Sequence, residues 1–511
     1  NPRYLAVRLI SSQVHSTTLP PLRSGPHNST KPGMYWTKTL LIALFPMLFA
    51  ACGEQGMSLP LKRPLPFPTP AQHDLIVAIS NGPLTYYSDG QGTFLGLEHD
   101  LIESFAQELG VGVKYLVVPP QEIAATLAAG KAHLAAAWLT TPGDPEQKST
   151  PPILQTSGIL VQHEASLPLE DREELHGRTV YAMPGSRQLA TLRELQKEMP
   201  DLTIIEYKEG DLFSLLEALG KRKLELVAID STLVPIAAQF IPSLQATLEL
   251  NENRPVVWWL GTHPNAELQA RINAFVDRVQ RDGTLLRIED RYFGHVQRLK
   301  QADIVAFLGR VETILPKFRK LFQAAQTISG IDWRLLAAVA YQESQWDPEA
   351  TSPTGVRGIM MLTEETADRL HVGNRLDPRE SIMGGARYLD LLKEMQPDNV
   401  SEPDRTWLAL ASYNIGPGHF NAARRLAKLQ GADQTAWYEM KQILPLLAQP
   451  KYYERLKSGR ARGGEAVLLV ENIRAYYDIL VRNQPAFVPV SARMASMAGM
   501  QGDSPGLKLK E

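Results

Sequence analysis

The hydrophobic pattern of this chain changes period near Val296, and one sheet or one helical bundle cannot satisfy both halves. Before that point, short apolar runs alternate with amphipathic helical stretches. Residues 75–80 read as a strand, and residues 99–109 space Leu101, Ile102, Phe105 and Leu109 along one helix face. Residues 113–118, 123–129 and 134–138 repeat the strand, helix, strand order. Residues 179–182, 188–198, 202–206, 212–219 and 224–230 form a second set. Such alternation predicts parallel sheets with helices on both faces, arranged as two lobes. Beyond Val296 the spacing is helical throughout, starting with Ile304, Phe307, Leu308, Val311, Ile314 and Leu315. The expected architecture is multidomain: a two-lobed α/β domain over residues 73–298, then a mainly α domain over residues 299–485. At 511 residues the chain is too long for one core.

Composition narrows the chemistry. A single cysteine excludes an internal disulfide and any Cys-based zinc site, and no metal or other cofactor is expected. The formal net charge of -2, without a basic run, gives no reason to expect a nucleic-acid partner. No Gly-rich phosphate loop occurs between a strand and a helix. Past residue 52, no apolar run is long enough to span a bilayer.

The amino end reads as an address. Residues 1–33 lack any period, and Met34 is the expected start. The upstream part is then either a non-native extension or a disordered leader. Lys38 precedes an apolar stretch over residues 40–49 that is too short for a membrane span, and Ala50 and Ala51 lead into Cys52. Residues 34–51 resemble a bacterial lipoprotein signal peptide. That resemblance implies lipidation of Cys52, and two or three acyl chains make membrane attachment stable. Because Gly53 follows where aspartate would retain a lipoprotein at the inner membrane, it implies an anchor on the periplasmic face of the outer membrane. The alternative is a buried cysteine near a plain signal peptide. Residues 52–72, rich in proline, are expected to form a semi-rigid tether, and residues 486–511 a flexible tail.

Within the first half, Gly96-Leu-Glu-His-Asp100-Leu, Ala137-Trp-Leu-Thr-Thr141 and Ala228-Ile-Asp230-Ser stand in an order and spacing similar to extracellular solute-binding proteins of the amino-acid type. Ligands in such folds sit in the cleft at the carboxyl ends of strands. The resemblance implies that Asp230 holds a ligand ammonium while Thr140 and Thr141 offer hydroxyls. Asp230 as a turn or helix cap is the alternative. The arginine that clamps a ligand carboxylate in that family is absent from residues 141–147. An amino-acid-like ligand, a muropeptide and a purely scaffolding role all stay open. Trp258 and Trp259 read as core.

In the helical half, Asp332 is a plausible N-cap for a helix that carries Leu336, Ala340 and Glu343 on one face. A carboxyl at the end of a buried stripe has its charged form disfavoured, as a general acid at neutral pH requires. A salt bridge or a helix end reaching water is the generic alternative for one such glutamate. A Gly- and Pro-punctuated loop follows, with Gly355, Gly358, Met360 and Met361. Later comes Ala409-Leu-Ala-Ser-Tyr413-Asn414-Ile-Gly416-Pro-Gly418-His419. Glycine permits close approach of backbone to a ligand, and tyrosine and asparagine suit sugars. These three blocks resemble the Glu-Ser, Gly-Leu-Met-Gln and Ala-Tyr-Asn-x-Gly motifs of lytic transglycosylases, whose catalytic domain is related to goose-type lysozyme.

That resemblance implies Glu343 as catalytic acid and base on peptidoglycan glycan strands, with Ser344, Gly358, Met361, Tyr413 and Asn414 around the substrate. Met361 stands where the family has glutamine. Leu469 stands where a fourth block has tyrosine, so that Tyr476 is the candidate to supply the missing hydroxyl. Ordinary glycosidases flank the scissile bond with two carboxylates. Here Asp347 and Glu349 have no signature of their own, while Glu364, Glu365, Asp377 and Glu380 read as helix-start residues behind Thr363 or around Pro378. A single-acid mechanism fits that shortage. Hydrolysis on the same fold, and a sensor lipoprotein whose catalytic half has decayed, are the rival readings.

Overall fold

Val77, Ala78 and Ile79 are all fully buried, the pattern of a strand covered on both faces. The computed structural model describes residues 65–488 apart from 89–91, 262 and 456. Cys52, the signal segment, most of the tether and nearly all of the tail lie outside the described residues.

Strands β1 (Leu75–Ile79), β2 (Val113–Val117) and β3 (Leu134–Thr140), with helices α1 (Leu97–Leu109) and α2 (Ile123–Ala128), begin the first lobe. The second lobe is laid down next. It comprises β6 (Gly158–His163), β7 (Thr179–Ala182), α3 (Arg187–Glu198), β8 (Thr203–Glu206), α4 (Leu212–Gly220), β9 (Leu226–Asp230), α5 (Leu233–Phe240) and β10 (Leu244–Glu249). The short β4 (Lys148–Ser149) and β5 (Leu154–Thr156) precede it, and β11 (Arg254–Gly261) returns the chain to the first lobe. The first sheet runs β2-β1-β3-β11-β4, with β5 also on β11, and the second runs β8-β7-β9-β6-β10.

Both sheets are mixed, which corrects the expectation of parallel ones. β1, β2 and β3 pair in parallel, whereas β11 runs antiparallel to β3. In the second lobe β6 likewise opposes β9. The chain passes between lobes twice, around residues 157 and 250. The strands at those crossings run against those built by successive strand-helix-strand units. Each lobe keeps its own apolar core.

Two helices complete the module, α6 (Ala266–Arg281) and α7 (Thr284–Phe293). The helical domain follows as α8 (Gln301–Thr313), α9 (Leu315–Ser329), α10 (Trp333–Ser344), α11 (Glu364–Arg369), α12 (Pro378–Glu394), α13 (Asp404–Ile415), α14 (Pro417–Leu429), α15 (Trp437–Ile443) and α16 (Gly463–Asn483). Helix α10 is its axis: every residue from Trp333 to Tyr341 is buried, the mark of a helix enclosed on all sides. Ala337, Ala338 and Ala340 keep its girth small, so that α9 and α16 pack closely against it. Asp332 caps its start by accepting from the Arg334 amide, as its sequence position predicts. The segment after α16 is strapped down further than expected. Trp333 Nε1 donates to the Pro485 carbonyl and Gln326 Nε2 to that of Phe487. Among the described residues, no helix is long and apolar enough to cross a membrane.

Candidate functional site

Helix α10 stops being enclosed at Gln342, and Glu343 sits in the turn where it emerges, half-buried. No hydrogen bond or ion pair engages its carboxyl among the described residues. Burial alone pushes its pKa up to about 8. The chain then leaves the helix through left-handed Gln345 and Trp346, whose buried indole donates to the Ala337 carbonyl at 2.8 Å. Glu343 is thus held at a fixed edge of the core.

The loop from Gly358 to Leu362 is built around that edge. Ser344 Oγ donates to the Ile359 carbonyl at 2.9 Å and also approaches the Ala340 carbonyl, so it ties loop to helix. Tyr413 Oη donates to the Met360 carbonyl at 2.7 Å, and the Met360 amide donates to Ser381 Oγ. Tyr413 lies close enough to Glu343 for the carboxylate charge to raise its phenol pKa, second to burial. The Tyr388 ring packs against it, tilted by 51° with centroids 5.2 Å apart. Asn414, next along α13, is exposed, and its side-chain amide makes no hydrogen bond among the described residues. Glu343 and Tyr413 are therefore neighbours, and Ser344 anchors the Gly358–Leu362 loop beside them.

Other expected substrate contacts take different roles. Gly358 is required by the fold: at φ 81° its Cβ would fall 1.8 Å from the Arg375 carbonyl oxygen, so the close approach is to backbone and not to sugar. Met361 is half-buried at φ 46°, closing the turn by donating to the Gly358 carbonyl. Tyr476 is largely buried. Its ring packs into the core against Phe307 at 4.6 Å and Tyr341 at 4.8 Å, because α16 turns that face toward α10. Leu469, seven residues earlier on the same face, is also core. Thr363 and Asp377 cap α11 and α12 as their positions predict. The Glu380 carboxylate, though, accepts from the Asn374 amide instead of closing a box on Asp377.

In the cleft of the α/β module, Asp230 has no capacity left for a ligand ammonium. Its Oδ1 accepts from Thr156 Oγ1 at 2.5 Å and from the Thr232 amide at 3.0 Å. Its Oδ2 accepts from Trp138 Nε1 at 3.1 Å and from Arg187 Nη2 at 2.9 Å. This corrects the expected role and bears out part of the turn-cap alternative. Trp138 reaches across from the first lobe, held at φ 54° by its amide's bond to buried Glu98 at 2.7 Å. Burial pushes Glu98 up to about 8. Thr140 is half-buried with its carbonyl taken by Trp259 Nε1, and Thr141 is exposed. Trp258 is fully buried, as expected. Arg187 was not singled out from the sequence. Its position directly after the helix-capping Ser186 was the available signal, and nothing local reveals its partner.

Residues 320–435 match the family model described as Transglycosylase SLT domain, and residues 75–295 match Bacterial extracellular solute-binding proteins, family 3. Together with the relatives below, these matches define a lytic transglycosylase whose helical catalytic domain follows a two-lobed solute-binding module. A relative from Methylobacillus flagellatus is 40% identical over 90% of this chain and 98% of its own length. Another from Nitrosospira multiformis is 41% identical over 89% of this chain and 95% of its own. Both are named membrane-bound lytic murein transglycosylase F, and the chain belongs to that family. Among solved structures, an ancestral arginine-binding protein bound to arginine is 19% identical, covering 43% of this chain and 98% of that one, with a TM-score of 0.39.

Proposed function

We propose that this chain cleaves peptidoglycan between N-acetylmuramic acid and N-acetylglucosamine without water, leaving 1,6-anhydro ends, with Glu343 as its single acid and base. One observation carries the reading: the Glu343 carboxyl stands unpaired beside Tyr413, with burial as the sole cause of its raised pKa. Among the described residues no carboxylate pairs with Glu343 or contributes to its shift, which fits a single-acid mechanism. Protonated Glu343 donates to the glycosidic oxygen, and the bond to C1 of the muramyl sugar breaks. The sugar's N-acetyl group stabilises the cation at C1. Glu343, now a carboxylate, takes the proton of the C6 hydroxyl, and that oxygen closes on C1. The exposed Asn414 amide is suited to bond the N-acetyl or lactyl group.

Mass analysis of fragments released from purified sacculi tests this. Anhydro-muramyl ends are expected, and reducing ends would identify a hydrolase instead. Glu343→Gln should lower the rate on the order of 10²–10⁴-fold. Unchanged sacculus solubilisation by that variant would support the decayed-sensor reading.

Attachment to the outer membrane through lipidated Cys52 completes the proposal. Cys52→Ala is expected to move the protein from the membrane fraction to the soluble periplasm. The module ahead of the catalytic domain is proposed as its control element, with a muropeptide or amino-acid-like ligand. Titrating such ligands against the cleavage rate of the full chain tests it, and a flat response would overturn it.

A further inference from the structure

The four donors on Asp230 leave its carboxylate without a free lone pair, so a ligand ammonium can bind there only by displacing one of them. Three are fixed by the framework: a main-chain amide, a threonine hydroxyl and the Trp138 indole. The fourth is the guanidinium of Arg187, which opens α3 and has only 16% of its side chain exposed. This cation stands where the ammonium of an amino acid would otherwise neutralise Asp230.

The rest of that guanidinium is unspent. Its Nη1 is buried and has no acceptor, an expensive state for a charged donor unless something else fills it. The Arg254 charge also bears on it, so two cations oppose the one carboxylate and the local surplus is positive. Gly185, two residues before Arg187, lies so near Gln121 of the first lobe that a Cβ there would meet its Oε1 at 2.5 Å. Arg187 therefore lies where the lobes approach, with Nη2 neutralised by Asp230 and Nη1 without an acceptor. A planar fork with a free edge matches a carboxylate.

We propose that Arg187 permanently occupies the ammonium position on Asp230, and that the cleft accepts a carboxylate whose amino group is absent or acylated. This rests on the module being ligand-binding, and the test separates the two. Calorimetric titration of the full chain would compare N-acetyl-D-alanine and N-acetylglycine with free D-alanine and glycine. The acylated pair is expected to bind at least 10-fold more tightly. In Arg187→Gln the order should invert, because Asp230 is released to take an ammonium and the carboxylate loses its fork. Arg187→Lys should keep free amino acids out while weakening the acylated ones. A far-UV circular dichroism spectrum and a melting temperature matching the parent's certify that each variant is folded. Free amino acids binding the unmodified protein as tightly as acylated ones would overturn the Arg187 assignment alone. Absence of binding by both classes would overturn it together with the ligand-binding reading.

Discussion

Glu343 carries a proton in the folded protein over a pH range where the unfolded chain has lost it. Its carboxyl rises from the ordinary 4.5 to about 8 through burial. Between those values the native state binds more protons than the unfolded one. This group's contribution to stability therefore declines as pH climbs through the window and levels off above about 8. Catalysis follows the same protonation: the donor form is depleted as pH passes about 8, and the cleavage rate should fall on that limb. Glu98 has the same direction and window, so the two contributions overlap in the parent protein. Subtracting the pH dependence of urea stability for Glu343→Gln from that of the parent isolates the catalytic residue. The variant is expected to lose part of the slope and none of its stability at high pH. Equal slopes in both proteins would contradict a neutral, buried acid.

At the scale of elements, the groove depends on a loop that three separate helices hold from behind. Ser344 of α10, Ser381 of α12 and Tyr413 of α13 each bond the backbone of residues 359–360. Gly358 makes the turn possible by combining a left-handed backbone with contact on the Arg375 carbonyl. Gly358→Ala should therefore cost roughly 2–5 kcal/mol, from strain and overpacking together, measurable as a lowered urea midpoint. Tyr413→Phe should leave folding nearly intact, at about 1 kcal/mol for one lost hydrogen bond. Cleavage should fall at least 10-fold as the loop loosens, and an unchanged rate would count against the anchoring role.

Much of this region was legible in the sequence because the signals are local: Asp332 and Thr363 cap helices three or fewer residues away, and Glu343 adjoins its own motif. Asp230 was misread for the opposite reason. Its partners Trp138, Thr156 and Arg187 lie 92, 74 and 43 positions away, and only tertiary folding brings them together. The ring contacts of Tyr476 with Phe307 and Tyr341 were illegible for the same reason, since helical period identifies a buried face but not the neighbour that fills it.

Across the whole molecule, helix α7 binds the two halves together. Arg291 reaches Asp100 of the first lobe at 2.8 Å and Asp404 at the start of α13 at 3.5 Å, while Tyr292 donates to the same Asp100. Arg287 pairs with Glu439 at 2.7 Å, and Lys441 pairs with Asp290. Deepest is Arg474, 2% exposed, which donates to the Asp290 and Arg291 carbonyls and to Glu471, whose other donor is Trp437 Nε1. From the second lobe, Glu217 pairs with Arg482, whose guanidinium lies 3.9 Å from the Phe213 ring centroid. Parting the modules would break the Arg291–Asp404, Arg287–Glu439, Lys441–Asp290 and Arg482–Glu217 pairs, so the two are expected to unfold as a unit.

Arg474→Met should remove about 3–5 kcal/mol by leaving two carbonyls without a donor and Glu471 with only Trp437 Nε1 and the more distant Lys441. Scanning calorimetry is expected to show the parent's single transition dividing into two. Adding Glu471→Gln to that variant should recover part of the loss, since the stranded charge is then gone while the seam's packing stays as it was. A single transition at the parent's temperature in Arg474→Met would mean that apolar contacts, not this buried network, join the two modules.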